Sequence, residues 1–587
     1  MTTATSKPDS AFAQTPGELD RVTGVHLMQG VGHRPARGFW ADAWSQVLHR
    51  RGAVAGIIWI SIVAFFAIFA PFVANGRPIL MRTGEGADSA LISPMLRGLT
   101  AIDIMLVVGA VAGLAWMLWP RGPARSFRIA TLIVASLQAG LIALAATIVE
   151  QRVSGSGVSD RVRAMEQSDA FVPIASAIIA ICCSAPFLLI SPIRSMLRRA
   201  AAVAGVGLVC AIIIASAWKP PLERFDYIAR VARGEAAATY TVIPFSPRQG
   251  STALGLKAPG ATPYTAVIYS LIEQLARDRA VGGFSDDPRW EANRQAAALA
   301  LAGIEADAQL LDLVETITRG KSRELPAASD QLMADLRAAS AAGEVQTAAD
   351  VVRWFQDRPA PRFLLGTDSL GQDMLSQLLH ACRLSISIGL VSTGIAVVIG
   401  VTMGALMGYF GGWVDMLLYR VVEVFMAVPV LFLLIVAAAV LPRNTYVMMA
   451  IIGGFTWTGA ARFVRAEFYK LRGQDFVQSA RAVGLPLRSV LFRHMLPNGV
   501  TPVLVEASFA IAAAILIEAV ISFLGFGPAN QPSWGRLLAD ATNQVGEFVW
   551  WLAVFPGFAI FLTVLSYNLI GEALRDAIDP KLKKARV

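Results

Sequence analysis

Charge is scarce in this chain. Of its 587 residues, 16% are Asp, Glu, Lys or Arg, against about 25% in an ordinary soluble domain, and that deficit excludes a conventional water-soluble protein of this size. Cysteine is scarcer, with four residues. Cys182, Cys183 and Cys210 sit in apolar runs and Cys382 near the start of another, with no spacing that suggests a disulfide frame or a metal site. No Ser/His/Asp set and no helix bearing paired His is present, so nothing suggests catalysis. A phosphate-binding loop is also missing. The nearest match, Arg319-Gly320-Lys321-Ser322, has Glu315 where the motif needs its first glycine, and a carboxylate there would repel a phosphate. The chain therefore lacks the obvious means to bind ATP, and no cofactor or metal is expected on it. The net charge of +9 is not accompanied by a basic, aromatic-laced soluble domain, so no nucleic-acid partner is expected. Lys and Arg instead gather in the cytoplasmic loops of membrane proteins. Residues 1–52 are polar, without an apolar core near Met1 or a small-residue cleavage pattern, so 53–73 reads as an uncleaved anchor.

What the chain has is long apolar runs. Hydrophobic residues make up 55% of it, concentrated at 53–73, 101–120, 128–149, 171–191, 200–218, 384–408, 416–441, 447–463, 500–524 and 549–570. Each has the length a helix needs to cross a bilayer, about 20 residues. The expected fold is an all-α polytopic membrane protein with about ten spans, in contact with membrane lipid. Basic clusters fix the orientation. His49, Arg50 and Arg51 precede the first run, Arg121, Arg125 and Arg128 follow the second, and Arg194, Arg198 and Arg199 follow the fourth. Counted from a cytoplasmic N-terminus, each cluster falls inside. So do Arg462, Arg465, Lys470, Arg472, Arg481, Arg488 and Arg493, and the C-terminal Lys581, Lys583, Lys584 and Arg586. Both termini are then cytoplasmic, and residues 219–362 lie outside as a small, mainly helical soluble module. Within it 240–263 reads as extended chain, and 264–281, 288–319 and 329–356 carry apolar residues at helical spacing.

The most informative stretch is 475–498, in a cytoplasmic loop. Asp475 can cap a short helix and Gln478 complete a capping box. Gly484 can end it in a left-handed conformation. Pro486 can open a second helix, and Pro497 limits it before the next span. Two short helices with a bend suit docking into a groove of a soluble partner; an ordinary amphipathic connector would read the same way.

Gln478-Ser479-Ala480, Gly484 and Leu496-Pro497 resemble the EAA loop of ABC importer permeases, with Gln for Glu and Ser for Ala. Arg493–Asn498 looks like the dipeptide/oligopeptide/nickel branch. Further matches are collinear. Gly366-Thr-Asp368-Ser-Leu-Gly371-Gln-Asp373 resembles the external signature ahead of the second family span, with Gln372 for Arg. Gly408–Asp415 resembles the turn between the second and third family spans. Ser522–Gly525 and Pro532–Gly535 resemble the loop before the last span, and Leu574–Pro580 the family C-terminus.

The resemblance implies a core of one span (53–75) and five more (363–574), with a cytoplasmic tail at 575–587. The region 76–218, with about four spans, and the module 219–362 would be insertions. An even number of added spans returns the chain to the same side. It also implies a bacterial inner-membrane location, a second homologous permease, separate ATP-binding subunits carrying ATP and Mg, and an external solute-binding protein. Phe476, Gln478, Ser479, Ala480, Arg481, Ala482, Val483, Gly484, Arg493 and Pro497 would form the ATPase-coupling loop, with Phe476 and 480–484 as its contact surface. Gly400, Gly404, Gly408 and Gly412, spaced by four, can form one smooth helix face. Glu423, Glu506 and Glu518, in or near apolar runs, serve either a pathway or hydrogen bonding within the bundle. The substrate expectation is di- or oligopeptides. A lone secondary transporter and a membrane-embedded enzyme are the rival readings.

Overall fold

The structure is a computed structural model describing residues 39–83, 90–120, 123–153, 171–193, 195–218, 227, 231, 236–281, 291–321, 325, 327–528, 531–542 and 548–578. The expectations resting on residues 1–38, Arg121, Arg194, 219–226, 288–290, Ser322 and 579–587 fall outside them.

Among the described residues, eight helices are long and apolar enough to cross a membrane, and two bent pairs raise the number of candidate spans to ten. Helix α1 (Phe39–His49) leads into α2 (Arg51–Val73). The inserted spans are α3 (Ala101–Leu118), α4 (Arg125–Val153), α5 (Phe171–Ser184) and α6 (Met196–Ala217). A helical module follows, with α7 (Thr265–Asp278), α8 (Glu291–Leu301), α9 (Ala308–Gly320), α10 (Ser329–Ala341) and α11 (Ala348–Asp357). The core continues with α12 (Met374–Phe410), α13 (Gly412–Ala427), α14 (Val430–Val440), α15 (Thr445–Thr456) and α16 (Thr458–Leu471). It closes with α17 (Asp475–Ala482), α18 (Leu496–Phe523), α19 (Trp534–Thr542) and α20 (Trp550–Ile578).

Several boundaries differ from the sequence reading. The span expected at 384–408 belongs to a 37-residue helix. Its first turns, with Gln377 and His380, are polar and escape a hydropathy window. The run 416–441 is not one straight span: α13 and α14 meet at 80°. Pro429 caps α14, and a residue before proline is driven out of the helical region. The run 447–463 likewise bends by 43° at Trp457 and continues to Leu471. Neither 1–52 nor 575–587 is only a tail. Ala43 and Val47 of α1 pack on Ala573 and Ala577 of α20, and Arg50 pairs with Asp576.

Helix α12 is the axis of the core. Gly400, Gly404 and Gly408 let α16 lie directly on it. A Cβ at Gly404 would fall 2.5 Å from the Ala461 carbonyl, and one at Gly408 2.6 Å from that of Arg465. This is the small-residue route by which helices approach when lipid supplies no hydrophobic drive between them. Gly412 does not belong to that face. It sits past the helix end at φ +54 with open space around its α-carbon, in a turn with Gly411 at φ +63.

The inserted spans form their own bundle around Ile142, Ala146, Ile179, Cys210 and Ile214. Buried Gln138 fixes its register by donating to the Ser184 hydroxyl and the Val203 carbonyl, both at 2.8 Å. Side-chain bonds of Asp103 and Thr147 fasten it to the core. Arg383 of α12 pairs with Asp103 of α3 and donates to the Ala67 carbonyl of α2 at 3.0 Å. Thr147 of α4 meets the Tyr446 hydroxyl of α15 at 3.0 Å.

Helices α7 to α11 enclose a separate hydrophobic core including Leu271, Val314, Leu332, Leu336 and Phe355. Each such side chain contributes about 1.5–3 kcal/mol on burial. The expected helix 288–319 is two helices, because Gly303 turns the chain at φ +69. The expected extended stretch is preceded by a small sheet: β1 (Leu80–Thr83) lies between β2 (Ala90–Ile92) and β3 (Ala236–Thr239), antiparallel to both. It joins the chain leaving α2 to the chain entering the module.

Candidate functional site

Two constellations carry the functional argument, one at each end of α12. At the first, α12 ends at Phe410, and the Arg472 guanidinium donates to the Tyr409 and Phe410 carbonyls at 3.2 and 3.1 Å. A cation at a helix C-terminus also offsets the dipole. Arg472 closes α16, so the ends of α12 and α16 and the start of the loop form one rigid unit.

From that unit α17 projects. Its N-terminus is not the expected capping box. Gln474 is the cap residue and makes no side-chain cap bond, while Asp475 stands inside the first turn, where its charge suits the helix dipole. Gln478 instead donates to the Gly473 carbonyl at 3.3 Å. The C-terminus matches expectation. Gly484 has φ +76, its N–H bonds to the Arg481 carbonyl at 3.0 Å, and the Leu485 N–H bonds to that of Ala480 at 3.2 Å. That is a Schellman cap.

Pro486 lies one residue before the next helix rather than inside it. Pro497 does not stop that helix. The chain forms a π-helix at Ser489–Met495 and runs on into α18. Proline offers no N–H to the preceding turn, and the widened turns accommodate it. The loop is therefore a helix, a left-handed bend, and one end of a span.

Val477 and Ala480 point inward, packed with Phe468, Val490, Leu491 and Met495. Ala480 lies beneath the expected contact surface, because three-residue spacing puts it on the same face as Val477. Phe476, Gln478, Ser479, Arg481, Ala482, Val483, Gly484, Arg493 and Pro497 are exposed. So are Leu485, Leu487 and Phe492, with Val483 at 79%. Sequence reasoning missed these last three apolar residues; the signal was their recurrence around Pro486.

At the other end, the signature forms a knot. Asp368 is buried and accepts from the N–H groups of Leu370 and Gln372 at 2.9 and 2.8 Å and from the Gln377 amide at 2.7 Å. Asp373 caps α12 through the Ser376 N–H at 2.7 Å. Burial and the neighbouring Asp368 push the Asp373 carboxyl up to about 7. Asp540 of α19 is pushed up to about 6 by burial and by Asp368, against the pull of Arg536.

The chain entering the module threads this loop. The Leu256 N–H bonds to the Asp368 carbonyl at 2.8 Å, and the Thr367 hydroxyl donates to the Leu254 carbonyl at 2.6 Å. Gly366 and Gly371 adopt φ +80 and +70, and a Cβ at Gly371 would fall 1.9 Å from the Ser251 carbonyl. Trp551 of α20 closes the knot on the Thr367 carbonyl at 3.1 Å. The signature residues thus meet one another and bind a segment that the sequence alone did not connect to them.

Of the three carboxylates in the apolar runs, Glu518 is fully buried and accepts the Ser522 hydroxyl at 2.7 Å, a bond within the bundle. Glu506 is half-buried near Arg462 and Arg575. Glu423 is bonded to Arg420 at 2.6 Å on an exposed face.

Comparison with known proteins agrees with this geometry. Residues 400–584 match the family "binding-protein-dependent transport system inner membrane component", and residues 38–81 match the N-terminal transmembrane domain of oligopeptide transport permeases. The chain belongs to the binding-protein-dependent inner-membrane permease family, as an ABC importer permease of the dipeptide/oligopeptide group. A dipeptide transport system permease of Alkalihalophilus pseudofirmus is 36% identical over 38% of this chain and 74% of its own length. An oligopeptide transport system permease of Haemophilus influenzae is 38% identical over 37% of this chain and 70% of its own. A peptidoglycan transport system permease of Agrobacterium fabrum is 38% identical over 37% and 57% respectively. Neither family model extends over residues 82–399.

Proposed function

We propose that this chain forms, with a second permease, the membrane path of an ATP-driven importer of di- or oligopeptides in the bacterial inner membrane. Both termini face the cytoplasm. Separate subunits bind and hydrolyse ATP, and an external solute-binding protein delivers the substrate to the face that carries the signature and the module. The loop 475–498 seats on an ATP-binding subunit. Closure of the ATPase pair pushes the exposed end of α17, and the rigid joint of α12, α16 and α17 passes that movement to the spans. Coupling of this kind needs an element that makes different contacts in two states.

The observation that carries the reading is the capped, rigid bend exposing Phe476, Val483, Leu485, Leu487 and Phe492 at the common end of α12 and α16. Exposed apolar residues clustered at a polar end of the molecule mark a partner surface. The test is affinity purification in mild detergent. ATP-binding subunits should accompany the unsubstituted chain and be lost from Val483→Asp. A chain that purifies alone and folded would overturn the reading.

A further inference from the structure

Helices α12 and α13 are joined through two glycines. Gly411 and Gly412 adopt φ +63 and +54, a region that glycine enters without strain, and a Cβ at Gly412 meets nothing within 4 Å. Backbone of that kind does not by itself fix the direction of α13. A side chain of α16 does. Asp415, in the first turn of α13, accepts from Arg465 Nε at 2.5 Å and from its Nη2 at 2.7 Å. The same guanidinium lies over the Tyr419 ring, 4.5 Å from its centre. Positions 415 and 419 share a helix face, so one arginine grips two successive turns.

Arg465 is itself fixed against α12. A Cβ at Gly408 would fall 2.6 Å from its carbonyl, and one at Gly404 3.0 Å from its nitrogen. At the end of α16, Arg472 holds the α12 terminus, and α17 begins just beyond it. The far end of α13 has a second tie. Phe425 meets Trp457 edge-on at 5.4 Å and Phe455 at 6.0 Å between ring centres. Trp457 is where α15 bends by 43° into α16, and Phe425 stands just before the 80° break into α14. Movement of α16 therefore reaches α13 at both ends, and through α13 it reaches the break at Val428 and Pro429.

We propose that Asp415 and Arg465 are positioning residues for transport: their paired bonds carry the displacement of the 475–498 loop across the glycine turn to α13, so that the break into α14 follows α16. This deepens the importer reading and rests on it. A charge-assisted bidentate pair fixes direction as well as distance, which a single bond does not. With the fork intact, α13 and α16 move as one body. With the fork reduced to one bond, α13 pivots on Gly411 and Gly412. The loop, Arg472 and the contact of α12 with α16 are untouched by that loss. ATP is then still hydrolysed, and less of it is converted into uptake.

The test uses the complete complex in proteoliposomes, with labelled dialanine as the probe. Asp415→Asn keeps the shape and loses the charge-assisted fork; Arg465→Lys keeps the charge and loses the fork. Each should lower the dialanine accumulated per ATP hydrolysed by about tenfold, within the range usual for coupling between two sites. ATPase stimulation by the solute-binding protein, the KM for dialanine and the melting temperature should change little. Asp415→Glu, which offers two carboxylate oxygens again, should recover most of the ratio. A ratio unchanged in both Asp415→Asn and Arg465→Lys overturns the proposal. So does a parallel fall of uptake, ATPase activity and melting temperature without recovery in Asp415→Glu, since the pair would then only hold the fold. Either result leaves the importer reading standing. Absence of ATP-dependent accumulation by the unsubstituted complex overturns that reading and this inference with it.

Discussion

Gly404→Ala tests the core packing most sharply. In an open helix, replacing Gly by Ala stabilises by up to about 1 kcal/mol. At position 404 the new methyl would sit 2.5 Å from the Ala461 carbonyl, 2.7 Å from the Val464 Cβ and 3.0 Å from the Arg465 nitrogen. Two of these three are backbone atoms, which cannot rotate away, so α16 must move. Overpacking of this kind costs about 1–3 kcal/mol, which exceeds the propensity gain and reverses its sign. The same helix provides the control: a Cβ at Gly394 meets nothing within 4 Å. Gly394→Ala should therefore raise the melting temperature in detergent or leave it unchanged, and Gly404→Ala should lower it. Since α16 carries Arg472 and leads into α17, ATPase stimulation by the binding protein should fall in Gly404→Ala and persist in Gly394→Ala. Equal stabilisation by both substitutions would refute the close approach of α12 and α16.

Other expectations follow from single contacts. Gly484→Pro cannot adopt φ +76, since proline is held near −65°; uptake should be lost while membrane insertion, read by fractionation, is retained. Asp373→Asn keeps a good helix cap but removes a carboxyl raised from 3.8 to about 7. The folded state holds that proton more tightly than the unfolded chain, so its contribution is full below pH 3.8 and is lost as pH rises to about 7. The asparagine variant should lack this part of the fall in melting temperature. Asp103→Ala leaves Arg383 without its carboxylate and should loosen the inserted bundle from α12, seen as a lower melting temperature in detergent. Phe355→Ala empties the centre of the module formed by α7 to α11 at a cost of about 3–5 kcal/mol, and should expose the module to protease while the membrane core stays folded.

How far the sequence was readable depended on the kind of signal. The spans were legible because apolar length is imposed by the bilayer, and the bend at Gly484 because only glycine takes that backbone without strain. The glycines at 400, 404 and 408 were legible as a face, whereas Gly412 shares their spacing but lies beyond the helix end. A periodic pattern does not say where a helix stops. The inward turn of Ala480 depends on which side of α17 meets Phe468, a tertiary fact absent from the motif. The threading of residues 250–257 through Gly366–Asp373 was hidden for the same reason: backbone hydrogen bonds between distant segments leave no trace in side-chain identity.

The central claim is that this chain transports only as part of an ATP-driven assembly. The direct measurement is uptake of a labelled dipeptide into proteoliposomes, with this chain, the second permease, the ATP-binding subunits and the solute-binding protein added singly and together. The account predicts accumulation only when all are present with ATP and Mg, and its loss when this chain is omitted. Accumulation by this chain alone without ATP, or full ATP-driven uptake in its absence, would contradict it.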